Sequence, residues 1–248
     1  MAEQPDDTPV HLSLLELCNS PGTTPAQVQA LLDRKASVNA KNEDGATPLH
    51  LTVKVNDNSN VSALLIAAGA DIHAVDILGW TPLHHAAALS VSGPVLGILI
   101  QSGSNVATKT CNDQTALHLW AENAMDHETL SILLEAGANP NARDFFQATS
   151  LHRAAARNFE NGSIAKLIAA GADVNAIDEA ENTPLHYSCD CEAWSEARPA
   201  IVKTLIAAGA RVNAQNANGQ TPLDVMHFCT ESGVLLRAAG GKPGEDLP

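Results

Sequence analysis

Thr47-Pro48-Leu49-His50 returns as Thr81-Pro82-Leu83-His84, Thr115-Ala116-Leu117-His118, Thr149-Ser150-Leu151-His152 and Thr183-Pro184-Leu185-His186, each 34 residues after the one before. A further copy, Thr221-Pro222-Leu223-Asp224, follows after 38 residues, and a degenerate one, Thr8-Pro9-Val10-His11, precedes the series by 39. A second series keeps the same phase: Gly69, Gly103, Gly137, Gly171 and Gly209, each followed by Ala or Ser. Self-similarity at a fixed period of this size marks a repeat architecture, and it decides the fold before any local propensity does.

Each unit reads physically outward from that stretch. Thr followed by Pro starts a helix, because the Thr hydroxyl caps and Pro loses no hydrogen bond at the first helical position. A short Ala-rich helix follows, as in His84-His85-Ala86-Ala87-Ala88, whose small side chains let neighbours approach. A polar loop leads to a second helix with Leu/Ile spacing, Val61-Ser62-Ala63-Leu64-Leu65-Ile66-Ala67-Ala68, and the Gly after it suits the left-handed end of a helix. A short extended piece (Asp173-Val174-Asn175-Ala176) and an Asp/Asn turn lead to the next Thr. One helix pair cannot bury its own apolar face, so the units must stack. The predicted fold class is an all-α repeat solenoid of helix-loop-helix units joined by β-hairpin turns. Its units are 1–41 (N-terminal cap), 42–75, 76–109, 110–143, 144–177, 178–215 (with a longer inter-helix loop) and 216–248 (C-terminal cap and tail). Lys35 stands where later copies have the helix-ending Gly, and the segment from Gly240 to Asp246 reads as a frayed tail.

The T-P-L-H start, the L-L/I-x-x-G-A close of the second helix and the V-N-A turn together resemble the ankyrin repeat family over about residues 8 to 240. The resemblance implies fingers projecting between helix pairs, a concave groove formed by fingers and first helices, and a non-catalytic protein–protein interaction module of scaffold or adaptor type. A fold that hosts many functions says little about the partner. The resemblance further implies that the motif histidines (His11, His50, His84, His118, His152 and His186) are struts that bond nearby backbone and link adjacent repeats. It also places Asn39, Asn141, Asn175 and Asn213 where eukaryotic members carry hydroxylated asparagines. Two features depart from the family. The unit is one residue longer than usual, in the loop between helices. The finger-tip Gly, kept as Gly45, Gly79 and Gly219, becomes Asp113, Gln147 and Glu181, so those three fingers are expected to bend differently.

Composition narrows the function. Lys and Arg number 14 against 28 Asp and Glu, a formal net charge of −14, which suits neither a phosphate backbone nor an anionic membrane surface. The longest nearly apolar stretch, from Ala86 to Ile100, is broken by Ser90, Ser92, Gly93 and Pro94 and is too short to span a bilayer. No nucleic acid and no membrane insertion are therefore expected, and the acidic surface predicts a basic or neutral protein partner. Aromatics are only 3%, so Ala, Leu, Ile and Val must make the core. Five scattered cysteines (Cys18, Cys111, Cys189, Cys191, Cys229) suit a reducing compartment. The sequence Met1-Ala2-Glu3-Gln4-Pro5-Asp6-Asp7 lacks the signal-peptide pattern. The expectation is a cytoplasmic protein, with the nucleus or delivery into a host cell left open.

Nothing in the motifs points to catalysis: G-x-S-x-G, Walker and H-E-x-x-H patterns are all missing. No enzyme activity, cofactor or metal is expected. The reading from another class is metal-binding or enzymatic chemistry at His186-x-x-Cys189-x-Cys191, with His227 and Cys229 one unit later. Zinc needs about four tetrahedral ligands, and helix positions i, i+3 and i+5 do not share one face, so small buried thiols are favoured.

The informative departure is apolar residues where solvent is expected. Finger tips such as Asn42-Glu43-Asp44-Gly45 are polar, but Asp76-Ile77-Leu78-Gly79-Trp80 and Asp144-Phe145-Phe146-Gln147 are not, and the polar tip Cys111-Asn112-Asp113-Gln114 separates them. Three of the few aromatic residues fall on these tips. Exposed apolar groups at matching positions suggest a partner site, against the alternative that Trp80 or a Phe folds back onto a neighbouring finger. The residue after each motif His, with those three and four beyond it, shares a first-helix face. That face offers His85, Ala88 and Leu89, then Arg153, Ala156 and Arg157, then Tyr187, Asp190 and Cys191. Arg153 and Arg157 form a positive island, read either as a docking point for a partner's acid or as pairs to intramolecular acids. The candidate partner-binding residues are therefore Ile77, Leu78, Trp80, His85, Leu89, Phe145, Phe146, Arg153, Arg157 and Tyr187. A monomer is favoured, with a self-associating scaffold or a host-directed effector as alternatives. Trp120, at a position usually occupied by Ala, is expected to fill a local gap. The expanded loop from Cys189 to Pro199, with Glu192, Trp194 and Glu196, is either functional or a tolerated insertion.

Overall fold

A computed structural model describes residues 10–55, 58–89, 93–123, 126–157, 161–190, 198–226 and 230–247. The degenerate Thr8-Pro9, Cys191 with the rest of the expanded loop through 197, His227 and Cys229 lie outside the described residues. The chain forms two compact units, Met1–Cys111 and Asn112–Pro248, each all-helical among the described residues.

The first unit holds α1 (Val10–Cys18), α2 (Pro25–Asp33), α3 (Pro48–Val55), α4 (Ser59–Ala67), α5 (Pro82–Leu89) and α6 (Gly93–Gln101). First helices stack as α1–α3–α5 and second helices as α2–α4–α6, each first helix also packing on its own second helix. The second unit holds α7 (Ala116–Asn123), α8 (His127–Glu135), α9 (Ser150–Arg157), α10 (Asn161–Ala169), α11 (Pro184–Cys189), α12 (Arg198–Ala207) and α13 (Thr230–Ala238). There α7–α9–α11 and α8–α10–α12 make the two layers, and α13 packs on α12. The repeat solenoid expected from the sequence is what the chain adopts.

The repeated residues do the work the period implies. In the repeats of Thr47, Thr81, Thr115, Thr149 and Thr183 the motif Thr donates both its N–H and its hydroxyl to Nδ1 of the motif His, as Thr149 does to His152 at 3.1 and 2.9 Å. With Nδ1 an acceptor, the proton sits on Nε2, which donates to a carbonyl of the following repeat. His50 reaches Trp80 O at 3.0 Å, His84 Thr108 O at 3.0 Å, His118 Ala148 O at 3.2 Å, His152 Asn182 O at 3.1 Å and His186 Gln220 O at 3.0 Å. The Thr hydroxyl thus serves the imidazole, and the imidazole in turn satisfies the Thr N–H at the start of the helix. Second helices end where Gly69, Gly103, Gly137, Gly171 and Gly209 take φ near +90°. There Ala70 N bonds Leu65 O and Gly69 N bonds Ile66 O, the paired closure of a left-handed helix end. Lys35 adopts the same conformation (φ 66°) and the same two bonds, so the first repeat closes like the others.

Side-chain amides add a second tie. Asn39 bridges Gly69 O and Asp71 N, Asn141 bridges Gly171 O and Asp173 N, Asn175 bridges Gly209 O and Arg211 N, and Asn213 bridges Gly240 O and Lys242 N, all at 2.7–3.0 Å. The core is aliphatic: Leu49, Leu65, Leu99, Leu117, Leu133, Leu151 and Leu167 are wholly buried, each stabilising by about 1.5–3 kcal/mol relative to exposure. Trp120 fills its gap completely and donates its indole N–H to Asp126 O at 3.1 Å. Cys18 and Cys189 are buried and Cys111 is exposed.

Three expectations are corrected. The connections contain no strand among the described residues. The 144–148 finger is a turn closed by Asp144 N to Ala148 O at 3.0 Å and Gln147 N to Asp144 O at 2.9 Å, and tied to its neighbour by Glu179 N to Phe146 O at 2.9 Å; the 42–46, 76–80, 178–182 and 216–220 fingers close in the same way. The fingers that lost the tip Gly do not bend differently: Asp113, Gln147 and Glu181 take φ of 57–60°, beside 72–74° at Gly45, Gly79 and Gly219. The closing bonds over-determine the turn, so the side chain is forced into a left-handed conformation that costs about 1 kcal/mol or more. The segment from Gly240 to Asp246 is not frayed. Asp224, in the motif His position, accepts from Thr221 N and Gly244 N at 2.8 Å, Lys242 N bonds Asn213, and Gly244–Asp246 forms a 3-10 turn.

Candidate functional site

The base of five fingers is an Asp or Asn (Asn42, Asp76, Asp144, Asp178 and Asn216) whose Oδ1 accepts two backbone N–H groups from the tip; Thr110 stands in that place in the remaining one. Asp76 takes Leu78 N and Trp80 N, Asp144 takes Phe146 N and Ala148 N, and Asp178 takes Ala180 N and Asn182 N. This fixes the tip residues on a rigid turn. It leaves Oδ2 of the three aspartates pointing at the first helix, where the residue nine positions on meets it. His85 Nε2 donates to Asp76 at 2.9 Å, Arg153 Nε and Nη2 donate to Asp144, and the Tyr187 hydroxyl donates to Asp178 at 2.7 Å. One carboxylate therefore clips finger to helix with three different partners.

These clips change the standing of three candidates. His85 is buried with its ring 4.9 Å from that of Trp80; burial holds its pKa below the ordinary value despite the nearby Asp76. Burial raises the Asp76 carboxyl, but the bonds from His85 and the Trp80 and Leu78 amides outweigh it and hold it low. Arg153 also faces Glu122 at 3.4 Å; burial works against its charge, and Asp144 and Glu122 together hold its pKa high. Of the two readings of the positive island, Arg153 follows the intramolecular one, while Arg157 is exposed. Tyr187 is half-buried, and burial followed by its bond to Asp178 pushes its hydroxyl pKa well up.

The apolar tips stay in solvent. Ile77 is 66% exposed, Leu78 55%, Phe145 63% and Phe146 55%, and the two Phe rings meet edge to face at 5.4 Å. Trp80 is half-buried against His85, so it folds back on its own repeat; Leu89 is exposed at the end of α5. In the second unit the structure brings Phe146, Arg153 and Tyr187 to one cleft of about 310 Å³, which Asp178, Glu179, Ala180 and Asn182 complete. Phe145, whose ring meets that of Phe146, and Arg157 do not line it. The sequence reading missed Asp76, Asp144, Asp178 and Glu179. An Asp at the finger base with His, Arg or Tyr nine residues later, three times over, is the signal that finds the first three.

The metal-type cluster fares differently. Both ring nitrogens of His186 are engaged, Nδ1 by Thr183 and Nε2 by Gln220 O, and Cys189 is buried. Among the described residues no group of three His, Cys, Asp or Glu side chains is placed to hold a metal ion, and no helix is long and apolar enough to cross a membrane.

No curated protein matches the chain. Solved structures do. The ankyrin repeat domain of Bcl-3, described as a unique member of the IkappaB protein family, is 27% identical over 94% of this chain and the whole of that domain, with a TM-score of 0.72. The human ASB11 ankyrin repeat domain, at 20% identity over 95% of this chain and 99% of that one, shares the fold with a TM-score of 0.76. The family model for ankyrin repeats (three copies) matches residues 14–108, 53–144, 88–178 and 151–234. The chain belongs to the ankyrin repeat family, whose domains are general protein–protein interaction modules, typically non-catalytic.

Proposed function

We propose that this chain is a non-catalytic scaffold or adaptor that holds a segment of another protein against its finger tips and the adjoining first-helix faces. The observation that carries the reading is the set of large apolar tip residues, Ile77 and Leu78 in the first unit and Phe145 and Phe146 in the second, held in solvent on turns that their Asp bases make rigid. Exposed apolar groups on a preorganised element are what binding hot spots are made of. Half-buried Trp80 and buried His85 support the 76–80 finger from behind, and Arg153 and Tyr187 support the 144–148 and 178–182 fingers of the second unit. Leu89 and Arg157 remain contact residues on the same faces. The net charge of −14 favours a basic or neutral segment and an on-rate that falls with salt.

The test compares affinity capture from native lysate by the wild type, by Phe145→Ala with Phe146→Ala, and by Ile77→Ser with Leu78→Ser, after circular dichroism shows all three folded. Proteins kept by the wild type and lost by a tip variant support the reading. Capture that neither variant alters refutes it.

A further inference from the structure

We infer that the cleft between the 144–147 and 178–182 fingers of the second unit is a socket for one basic side chain, Lys or Arg, projecting from the bound segment; this rests on the protein-binding reading above. The argument starts from charge accounting among the three clips. Asp144 meets a guanidinium, whereas Asp76 meets the His85 imidazole, whose charged form burial disfavours, and Asp178 meets neutral donors: two backbone amides, the Tyr187 hydroxyl at 2.7 Å and the Asn182 amide at 3.4 Å. Asp178 as a whole is 8% exposed and lines the cleft, and no cation among the described residues bonds its carboxylate. A charge held in a partly desolvated wall projects a stronger field than one in open water.

The rest of the lining fits the same occupant. Glu179, next along the finger, is exposed and supplies a carboxylate for direct bonding, which Asp178 with its four donors does not. Arg153, the cation on the wall, is shared between Asp144 and Glu122, so its charge is already answered by two carboxylates while Asp178 and Glu179 add two more to the lining. Phe146 offers an aromatic surface to the stem and charged head of a long basic side chain. A cleft of about 310 Å³ has room for a side chain of that size. Arg143, the nearest other cation in sequence, is bonded to the Gln147 and Ile177 carbonyls and does not line the cleft.

The test titrates the full chain with three capped Leu-Ala-X-Ala-Leu peptides, X being Arg, Lys or Gln, while backbone amides are followed by NMR. The Arg and Lys peptides are expected to shift the amides of Phe146, Glu179, Ala180 and Asn182 and to bind several-fold more tightly than the Gln peptide. Glu179→Gln is expected to weaken both by about two- to fivefold, the range of an exposed ion pair, and to leave the Gln peptide unchanged. The ratio of the Arg and Lys affinities tells which basic group fits better. Equal binding of all three peptides, indifference to Glu179→Gln, or shifts confined to other residues each overturn the socket. If native capture still depends on Phe145 and Phe146 while the peptides show no charge preference, the socket fails and the protein-binding reading stands.

Discussion

Lowering the pH should loosen the fold through the motif histidines, and His152 gives the magnitude. Its ring is wholly buried, with Nδ1 accepting from Thr149 and Nε2 donating to Asn182 O, so the folded environment suits the neutral ring alone. Burial is the main cause that pushes its pKa from 6.5 down to about 4, against the opposing pull of the Asn182 carbonyl. Because the folded value is depressed, the unfolded chain binds the extra proton between those two values. The contribution is fully present above about pH 6.5 and is lost as the pH falls toward about 4. For a shift of this size the loss is about 2 kcal/mol on going from neutral pH to about pH 5, and about 3 kcal/mol in full. Burial lowers His50, His118 and His186 in the same direction, so the wild type should lose more than one residue accounts for. The assay is urea unfolding of the wild type and His152→Gln at neutral pH and near pH 5. Gln at this position can still form a capping box with Thr149, so the variant should fold while lacking the titrating ring. Its stability difference between the two pH values should be smaller than that of the wild type by about 2 kcal/mol. Equal differences would refute the strut as the source of acid lability.

Other consequences are simpler to read. Gln147→Gly and Glu181→Gly, at φ of 60°, should each raise stability by about 0.5–1 kcal/mol in denaturant unfolding, since glycine adopts that conformation without strain. His73 stands in the register of Asn39 and Asn141 but has no amide to bridge Gly103 O and Asn105 N within the first unit. His73→Asn should therefore add a latch worth about 1 kcal/mol, seen as a higher unfolding midpoint. Arg153→Leu should cost about 1.5–3 kcal/mol by stranding the buried Asp144 carboxylate.

How much of this was legible depended on how local each interaction is. The Thr–His helix start and the Gly close recur at a fixed period, so each was readable as a column of like residues with one physical job, whereas the Asn latch, interrupted by His73 and Ala107, showed in the sequence only as a turn residue. The fingers without tip Gly were misread because propensity at one residue was weighed without the backbone bonds that surround it. Those bonds hold Gln147 in the same turn as Gly79. The tail was misread because Gly240-Gly241-Lys242-Pro243-Gly244 has no hydrophobic side chain to dock. Its order comes instead from backbone groups bonded to Asp224 and Asn213, which composition does not reveal. The clips were missed because the residues that answer the Asp differ in every repeat, and a column of His, Arg and Tyr does not look like a motif until the finger is seen folding back onto its helix.

The clips also bear on where binding energy would come from in the proposed function. A finger base with a free carboxylate and a first helix with a free Arg or His would make polar contacts the main source of affinity, and a partner would have to displace water from each. Here Asp76, Asp144, His85 and Arg153 satisfy one another, so a partner gains nothing from them without first breaking a buried pair, a step that costs more than an exposed pair returns. What remains is the apolar tips and the Asp178–Glu179 wall. Covering a Phe or Leu tip is worth about 1.5–3 kcal/mol before the costs of association, whereas an exposed ion pair is worth about 0.2–1 kcal/mol. Affinity then follows the two Phe rings together with Ile77 and Leu78, and selectivity follows the uncompensated charge in the second unit's cleft. On this division of labour, removing the tips abolishes capture of every partner, while neutralising Glu179 changes which segments are preferred and leaves the apolar contribution in place.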